Sequence, residues 1–325
     1  MAGLLLEVVS LVTSLATKSG KLNAVDEVSF KIDRGQSFGI VGESGSGKSV
    51  LSRTIIGVHA ENRIVSTKGE IIFEGRNLLS LPEKEMRKIR GREIAMVFQN
   101  PMSSLNPVKK IGEQIVEVLI QKLGLSRTDS RYRAIELMNS MGIAESEKQL
   151  SNYPMNLSGG MRQRIAIAIA MAPEPKLLIA DEPTTALDVT IQGQILNLLQ
   201  EQTNKFNTAI ILISHNLGVI SRYTDRVAVM YSGQFVEESA TAELMKNPMM
   251  PYTSALMRSV PDLTSPPHTK LRAIDGMPPS LLETPQGCRF QERCQGVRDK
   301  CFSEMPEIIL NGGDHRYRCW YPLEN

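Results

Sequence analysis

The stretch Gly42-Glu43-Ser44-Gly45-Ser46-Gly47-Lys48-Ser49 decides the fold, because it fills the pattern G-x-x-x-x-G-K-[ST] directly after the apolar, strand-like run Ser37-Phe38-Gly39-Ile40-Val41. Its glycines allow the backbone to curl until successive N–H groups face one anion, at the start of a helix whose dipole also favours negative charge. In such a loop Lys48 reaches the β- and γ-phosphates of a nucleotide, and Ser49 binds Mg²⁺. The alternative, an ordinary Gly/Ser surface loop, is disfavoured by the preceding strand. The sequence therefore predicts a nucleotide-binding loop from Gly42 through Val50.

The length, charge and apolar runs of the sequence limit the classes of protein to which the chain can belong. With 325 residues the chain is long enough for a large core and a second, smaller unit. Lysine and arginine number 37 against 35 aspartate and glutamate, so the net charge of +2 creates no field that would favour nucleic acid. The apolar residues 4–16 follow no basic residue and include Glu7, so we interpret them as a first strand and not as a signal peptide. No apolar run approaches the roughly 18 residues of a membrane-spanning helix.

Strand-like and helix-like patterns alternate along the rest of the chain. Short apolar runs broken by turns predict several short strands before residue 100, among them residues 6–9 and 28–32. From Ile111 the apolar spacing changes to the helical period, and we predict an inserted helical subdomain over about residues 102–165. Its methionines, including Met138 and Met141, are expected to fill the core and not to bind a ligand.

Polar side chains stand at the ends of three predicted buried strands. They are Gln99, Asp181, Glu182 and His215. Open α/β sheets keep their sites at the carboxyl ends of the strands, so these residues are candidates for one site. Asp181 suits a Mg²⁺ ligand acting with Ser49, and Glu182 suits a base that activates the attacking water. The alternatives are a surface turn at Asp181-Glu182-Pro183 and a purely structural histidine.

Ser158, Gly159 and Gly160 open a long apolar helix. A helix N-terminus has N–H groups without partners inside the helix, and its dipole favours an anion. Alone, Ser-Gly-Gly indicates only a helix cap. Because the strand that ends in Asp181 and Glu182 follows, these three residues become candidates for binding the nucleotide.

Residues 4 to about 240 together resemble the ATPase subunit of an ABC transporter. The corresponding motifs are residues 42–49 for the Walker A loop, Gln99 for the Q-loop, Leu157–Met161 for the LSGGQ signature, Asp181 and Glu182 for Walker B, Thr185–Asp188 for the D-loop and His215 for the switch histidine. Two stretches of the tail, residues 247–256 and 287–294, are similar to the oligopeptide, dipeptide and nickel importer branch.

The resemblance implies an α/β fold: a P-loop NTPase core of the ABC ATPase type, with a β-rich subdomain, the inserted helical subdomain and a small Cys-containing C-terminal extension. Its expected boundaries are residues 1–255 for the nucleotide-binding domain and residues 256–325 for the extension. ATP and Mg²⁺ are the implied ligands, with Ser49, Gln99 and Asp181 on the metal. The implied catalytic residues are Lys48, Gln99, Glu182 and His215.

The resemblance also implies partners. Such a subunit sits on the cytoplasmic face of the cell membrane, against two permease subunits, and pairs head to tail with a second ATPase subunit, here expected to be a different chain. Ser158, Gly159 and Gly160 would then face the γ-phosphate bound by the other subunit. A periplasmic or lipid-anchored substrate-binding protein is an indirect partner. Di- or oligopeptides are the expected cargo; the alternatives are nickel or another small solute, a soluble ABC-type ATPase acting on nucleic acid or ribosomes, and a nucleotide switch without transport.

All four cysteines lie in the tail, after a proline-rich stretch. They are Cys288, Cys294, Cys301 and Cys319, and the prolines are Pro261, Pro266, Pro267, Pro278, Pro279 and Pro285. A small unit poor in apolar residues usually needs disulfides, zinc or an iron–sulfur cluster. A reducing compartment disfavours disulfides, and the spacing C-x5-C-x6-C-x17-C lacks the short knuckle of structural zinc sites. This spacing, with a resemblance to family members that carry one, favours a [4Fe–4S] cluster, and Zn²⁺ is the alternative.

Overall fold

The computed structural model describes residues 3–59, 64–99, 104–185, 187–259 and 274–324. The chain divides into two compact units. Unit 1 consists of Met1–Gly3, Asp33–Gln36 and Leu81–Ile211, and unit 2 of Leu4–Ile32, Ser37–Ser80 and Leu212–Asn325. The region after residue 255 therefore belongs to the same unit as the first strands and the loop at residues 42–49.

The described residues contain strands and helices throughout. The strands are β1 (Leu4–Thr17), β2 (Gly20–Asp33), β3 (Ser37–Val41), β4 (Ile64–Phe73), β5 (Arg76–Asn77), β6 (Ile94–Val97), β7 (Leu177–Asp181), β8 (Ala209–Ser214), β9 (Arg226–Tyr231), β10 (Gln234–Ala240), β11 (Ile309–Leu310) and β12 (Arg316–Tyr317). The α-helices are α1 (Lys48–Ile56), α2 (Glu83–Ile89), α3 (Ile111–Leu123), α4 (Arg127–Ser140), α5 (Ser146–Gln149), α6 (Gly159–Met171), α7 (Val189–Lys205), α8 (Leu217–Tyr223), α9 (Thr241–Lys246), α10 (Pro251–Arg258) and α11 (Asp299–Ser303).

Unit 2 begins with a four-stranded sheet in the order β2-β1-β4-β5. The first two strands are 14 residues each, so the prediction of short strands here was wrong. The chain continues as strand because β1 pairs antiparallel with β4 from Leu6 opposite Phe73 to Leu15 opposite Ile64, which satisfies its backbone along this length. Register shifts after Val9 and Ser14 interrupt the alternation that the sequence pattern relies on.

A second set of strands in unit 2 carries the loop. β3 pairs in parallel with β9, with Val41 opposite Val229, and β9 pairs antiparallel with β10. Phe38 of β3 is fully buried and stacks on Phe30 with ring centroids 5.1 Å apart. A strand buried on both faces reads as a continuous apolar run, as β3 does. It delivers the chain to Gly42 at its carboxyl end.

Unit 1 contains a parallel strand pair whose carboxyl ends meet at one edge. β6 and β7 pair in register, with Val97 opposite Ala180, and every residue of β7 is buried. The buried strands predicted at these positions are thereby confirmed. β8, also buried throughout, begins in unit 1 and ends in unit 2.

Helices fill the middle of unit 1. Ile111, Ile115 and Leu119 of α3 are fully buried, as the helical period predicts, and so are Met138 and Met141, which supports their role as core residues. The predicted start of the helical subdomain at residue 102 lies outside the described residues. No helix in the described part of the chain is long and apolar enough to cross a membrane.

Within unit 2, the extension packs on β9, β10 and α10 through short elements. β12 pairs antiparallel with β10, with Tyr317 opposite Glu237. Phe290 contacts Tyr231 and Tyr252, with ring centroids 5.4 and 5.3 Å apart. Of the predicted proline-rich stretch, the first three prolines lie outside the described residues, and the last three lie in a segment without helix or strand. The tail thus obtains from β9 and α10 the apolar surface that it lacks by itself.

Candidate functional site

The loop at residues 42–49 joins β3 to α1 and requires its glycines. Gly45 and Gly47 have φ of 81° and 106°, in the left-handed region that favours glycine. A Cβ on Gly47 would lie 2.2 Å from the carbonyl oxygen of Ala24, and one on Gly42 would lie 2.1 Å from that of Met230. The backbone of the loop therefore packs directly against two other backbone segments of unit 2.

Lys48 is the first residue of α1, and its side chain folds back over the loop. Its Nζ donates to the carbonyl oxygens of Gly42 at 2.7 Å and Glu43 at 2.8 Å, and contacts Ser46 Oγ at 3.3 Å. Only 5% of Lys48 is exposed. The loop thus holds a cation next to the helix N-terminus, as its motif predicts. Ser49 and Val50 follow as half-buried residues of the first turn.

His215 lies one residue past β8, in unit 2, and is exposed. The chain turns sharply there, because Asn216 caps α8 and its Oδ1 accepts from the N–H groups of Gly218 and Val219. The predicted position of His215 at the carboxyl end of a buried strand is confirmed.

Unit 1 brings Gln99 and Glu182 together. Asp181 is the last residue of β7 and is 1% exposed, and Glu182 follows it. Gln99 Nε2 donates to Glu182 Oε2 at 3.0 Å, and Thr185 Oγ1 donates to the same oxygen at 2.8 Å. The prediction that the polar residues after β6 and β7 share one sheet edge is confirmed for this pair.

The backbone at Glu182 is unusual. Its φ of 46° lies in the left-handed region, which costs a residue with a side chain about 1–3 kcal/mol and persists only where the surroundings enforce it. Hydrogen bonds from Gln99 and Thr185 hold the carboxylate in this position. Seven other described residues with side chains, among them Glu74 and Glu145, share this backbone region, so the φ value by itself does not distinguish a functional site from a turn.

The start of α6 is a helix N-terminus with a capped first turn. Ser158 Oγ accepts from the N–H group of Met161 at 3.3 Å, so the capping role of Ser158 is confirmed. A Cβ on Gly160 would lie 3.1 Å from Ile191, and one on Gly159 would lie 3.5 Å from Leu187. The close approach of Ile191 thus leaves little room for a side chain at Gly160, whereas an added Cβ on Gly159 would make only an ordinary van der Waals contact.

The four cysteines line one small cavity in unit 2, together with Met250, Pro251, Phe290, Gln291, Gly296, Trp320 and Tyr321. All four lie in the described residues, and none forms a disulfide. Burial raises the pKa of Cys288 to about 11 and that of Cys319 to about 12, and it also raises the pKa of Cys294. In the described part of the chain no three His, Cys, Asp or Glu side chains converge as ligands of a metal ion.

Sequence reasoning missed the support of the loop. Arg293 donates to both carboxylate oxygens of Glu43, and the hydroxyl of Tyr252 accepts from the N–H group of Glu43 at 3.0 Å. Nothing in the local pattern around residue 293 indicates a partner 250 positions earlier. The only available signal was the charge of Arg293 inside a cysteine-bearing stretch, and it does not name a partner.

Comparison with known proteins identifies the family. Residues 25–185 match the family described as ABC transporter, and residues 236–301 match the oligopeptide/dipeptide transporter C-terminal region. The chain is 46% identical to the oligopeptide transport ATP-binding protein AppD of Bacillus subtilis, over 97% of this chain and 96% of that protein. It is 45% identical to the dipeptide transport ATP-binding protein DppD of Lactococcus lactis, over 97% of this chain and 90% of that one.

Solved structures agree on the fold. The dimeric ATP-binding cassette MJ0796, in a post-hydrolysis state bound to ADP and Pi, superposes with a TM-score of 0.65 at 27% identity, over 73% of this chain and 98% of that chain. The resemblance drawn from the motifs is thereby confirmed, as is the α/β fold of the P-loop NTPase class. The chain belongs to the ABC transporter family, as an ATP-binding and ATP-hydrolysing subunit of the oligopeptide/dipeptide type.

Proposed function

We propose that this subunit powers the import of di- or oligopeptides through two permease subunits, from the cytoplasmic face of the cell membrane. The similarity to oligopeptide and dipeptide transport ATP-binding proteins supports this cargo. The observation that carries the catalytic part is the carboxylate of Glu182, which Gln99 and Thr185 hold at the end of a buried strand.

We assign the binding of the triphosphate to the loop from Gly42 through Val50. Its N–H groups and the N-terminus of α1 favour an anion, and the Lys48 ammonium supplies a positive charge. This ammonium bonds to the loop carbonyls of Gly42 and Glu43 and exchanges them for the β- and γ-phosphates when ATP enters.

Glu182 is assigned as the base that accepts a proton from the attacking water. Its Oε2 accepts hydrogen bonds from Gln99 and Thr185, which fix the orientation of the carboxylate at the end of β7. His215 is assigned a contact with the γ-phosphate. Gln99 also connects the site to the permease through the helical subdomain.

We assign the ligands of Mg²⁺ from the chemistry of their donor atoms. Ser49, Gln99 and Asp181 offer hydroxyl, amide and carboxylate oxygens, and hard oxygen donors are what Mg²⁺ prefers. Asp181 is buried, which suits a carboxylate that faces a cation. The bound ion would neutralise charge on the phosphates.

The donors at Ser158, Gly159 and Gly160 are assigned to the nucleotide of a second ATPase subunit. The dimeric state of the cassette MJ0796 supports a paired arrangement. We expect the second subunit to be a different chain, so that the transporter contains a heterodimer, with a periplasmic or lipid-anchored binding protein delivering the peptide. Native mass measurement of the purified transporter tests this, and two copies of the present chain without another ATPase would contradict it.

The catalytic assignment is tested with Glu182→Gln in the transporter reconstituted in lipid vesicles. The variant keeps an oxygen for the hydrogen bonds but loses the basic carboxylate. Hydrolysis should fall about 10²- to 10⁴-fold while ATP binding persists. Glu147→Gln, which changes an exposed glutamate of α5, is the matched control. Near-normal hydrolysis by Glu182→Gln would remove Glu182 from this role.

The cargo is tested in the same vesicles. Binding protein loaded with a peptide should stimulate ATP hydrolysis and peptide uptake, whereas binding protein loaded with nickel should not. Stimulation by the nickel-loaded and not by the peptide-loaded binding protein would show that the transporter imports nickel.

We also propose that the four thiols hold a [4Fe–4S] cluster, with Zn²⁺ as the alternative. The cavity that all four cysteines line supports a common ligand, which would have to draw the thiols closer together than they lie in the described structure. When bound, a cluster would cross-link the segments of the extension that carry the cysteines, or it would respond to the redox state. Protein purified without oxygen should contain about four irons and four sulfides per chain. Stoichiometric zinc without iron in such protein would select the alternative.

A further inference from the structure

Arg293 of the extension binds Glu43 of the loop across 250 residues of sequence. Its Nη1 donates to Glu43 Oε2 at 2.7 Å, and its Nη2 donates to Oε1 at 2.9 Å. Two parallel hydrogen bonds of this kind fix the orientation of a carboxylate against a planar guanidinium. The Arg293 side chain is 3% exposed and that of Glu43 is 26% exposed, so solvent screens the pair only from the side of the glutamate.

Further hydrogen bonds hold the guanidinium of Arg293 in one position, so it cannot move together with Glu43. An arginine has five N–H donors, and here the remaining three bond to the hydroxyl of Tyr231 at 3.2 Å and the carbonyl oxygens of Ile274 at 3.2 Å and Asp275 at 2.9 Å. All five donors are therefore used. The position of the Glu43 carboxylate is set by β9 and the extension together.

The main chain of Glu43 connects this ion pair to Lys48. The N–H group of Glu43 donates to Tyr252, and its carbonyl oxygen accepts from Lys48 Nζ at 2.8 Å. A displacement of Glu43 would therefore move an acceptor of the ammonium that we assign to the phosphates. The carboxylate of Glu43 itself points away from this contact, toward Arg293.

A second arginine of the extension supports the other end of the loop. Arg289 donates to the carboxylate of Asp26 and to the carbonyl oxygen of Ser232. The next residue, Gly233, donates its N–H group to the carbonyl oxygen of Ser46 at 2.8 Å. The loop is thus attached on both sides to segments that the extension holds.

We propose that Arg293 is a positioning residue of the nucleotide site, which fixes Glu43 so that the phosphate-binding loop and Lys48 are in place before ATP enters. This inference rests on the role assigned above to residues 42–50. Arg293 does not touch the nucleotide and acts through Glu43. The extension is then a part of the ATP site and not only an appendage of the cassette.

The test is ATP binding by the purified full chain and the ATP dependence of hydrolysis by the assembled transporter. Arg293→Met should raise the dissociation constant and the KM for ATP about tenfold, because it removes a charged, bidentate partner, while kcat stays within about twofold. Arg293→Lys keeps the positive charge but cannot form two parallel hydrogen bonds with the carboxylate. Its KM for ATP should therefore lie between those of the unchanged protein and Arg293→Met. Arg298→Met is the matched control, because Arg298 is exposed and its guanidinium lies over the ring of Tyr321. It should leave both constants unchanged.

A variant at the other partner separates positioning from a general loss of folding. Glu43→Gln should raise the KM as Arg293→Met does, and in the Glu43→Gln background the second change should add less than about twofold. If Arg293→Met fails to fold, Glu43→Gln and Arg293→Lys still decide the question. An unchanged KM in Glu43→Gln, or effects of the two changes that multiply, would overturn the proposal.

Lys48→Ala distinguishes this inference from the assignment of the loop. If Lys48→Ala abolishes ATP binding and Arg293→Met leaves it unchanged, the loop binds the phosphates and only the role of Arg293 is refuted. If Lys48→Ala binds ATP normally, the assignment of the loop itself fails, and the role of Arg293 fails with it.

Discussion

The phosphate loop of unit 2 and the Glu182 carboxylate of unit 1 are held in different ways. Glu182 is fixed by Thr185, three residues later, and by Gln99, which comes from the neighbouring parallel strand. The loop is fixed by residues from distant parts of the chain: the backbone at Ala24 and Met230, the hydroxyl of Tyr252 and the guanidinium of Arg293.

The positions of Glu182 and of the loop therefore depend on different parts of the chain. The geometry at Glu182 follows from the pairing of β6 with β7 and from a turn of four residues, so it is nearly complete within one stretch of sheet. The loop has a motif that is complete in sequence, but its shape depends on surfaces supplied by β9, α10 and the extension. Changes far from the loop should therefore affect nucleotide binding, and changes far from Glu182 should affect hydrolysis less.

The largest effect that tests this comparison is expected from two glycines of the loop. Gly45→Ala should lower the free energy of unfolding by about 1–2 kcal/mol, because only the left-handed backbone opposes a side chain and no heavy atom lies within 4 Å of the added Cβ. Gly47→Ala carries the same strain and also places its Cβ 2.2 Å from the Ala24 carbonyl oxygen, which adds about 1–3 kcal/mol.

Denaturant unfolding and ATP titration of the two variants measure these effects. Gly45→Ala serves as the control for Gly47→Ala, since both residues have positive φ. Gly47→Ala should also weaken ATP binding, because relief of the clash moves the loop. Equal unfolding free energies for the two variants would mean that the contact with Ala24 does not shape the loop.

A smaller effect is expected from Thr185→Val, which removes a hydrogen-bond donor to Glu182 Oε2. Loss of one such hydrogen bond corresponds to about 1 kcal/mol, so kcat should fall about fivefold. The KM for ATP should not change, because the loop is untouched. Steady-state kinetics of the transporter measure both, with Thr128→Val, at an exposed position of α4, as the control. A change in KM alone would place Thr185 in nucleotide binding.

The last effect concerns the extension, which supports the loop, and it leaves ATP hydrolysis untouched. In protein without a bound metal, the raised pKa of about 11 for Cys288 leaves about 100-fold less thiolate near pH 8 than the ordinary value of 9.0. Iodoacetamide should therefore modify Cys288 slowly at pH 8 and much faster toward pH 11, as peptide mass spectrometry would show. Rapid modification at pH 8 would mean that the cavity opens to solvent.

The same shift sets the pH dependence of stability. A thiol whose pKa is higher in the folded than in the unfolded chain contributes stability below about pH 9, and this contribution is lost as the pH rises toward 11. The unfolding midpoint of the metal-free protein should decrease over that range. A Cys288→Ser variant should show less of this decrease.

The same difference, between contacts with nearby residues and contacts with distant ones, decides which features could be predicted from the sequence. The loop after β3, the buried strand that ends in Asp181, the helix start at Ser158 and the meeting of Gln99 with Glu182 all follow from short-range patterns. Motif, periodicity and the parallel pairing of buried strands are sufficient for them.

Other features depend on pairing between distant segments. The strand β1 is longer than its alternation indicates, because pairing with β4 extends it past irregular positions. The contact of Arg293 with Glu43 and the pairing of β12 with β10 join residues that no local pattern relates. A charge such as that of Arg293 is usually a solvated surface residue, and only the folded chain shows that it is buried.

The distance along the chain between Glu43 and Arg293 has a consequence for synthesis of the protein. At about 5–20 residues per second, roughly 10 to 50 s separate the appearance of the loop from that of its arginine. During this interval the loop has emerged from the ribosome while Glu43 still lacks its partner. The ATP site would therefore mature only after residue 293 has been made, and a chain truncated before that residue would have a phosphate loop that is not yet fixed.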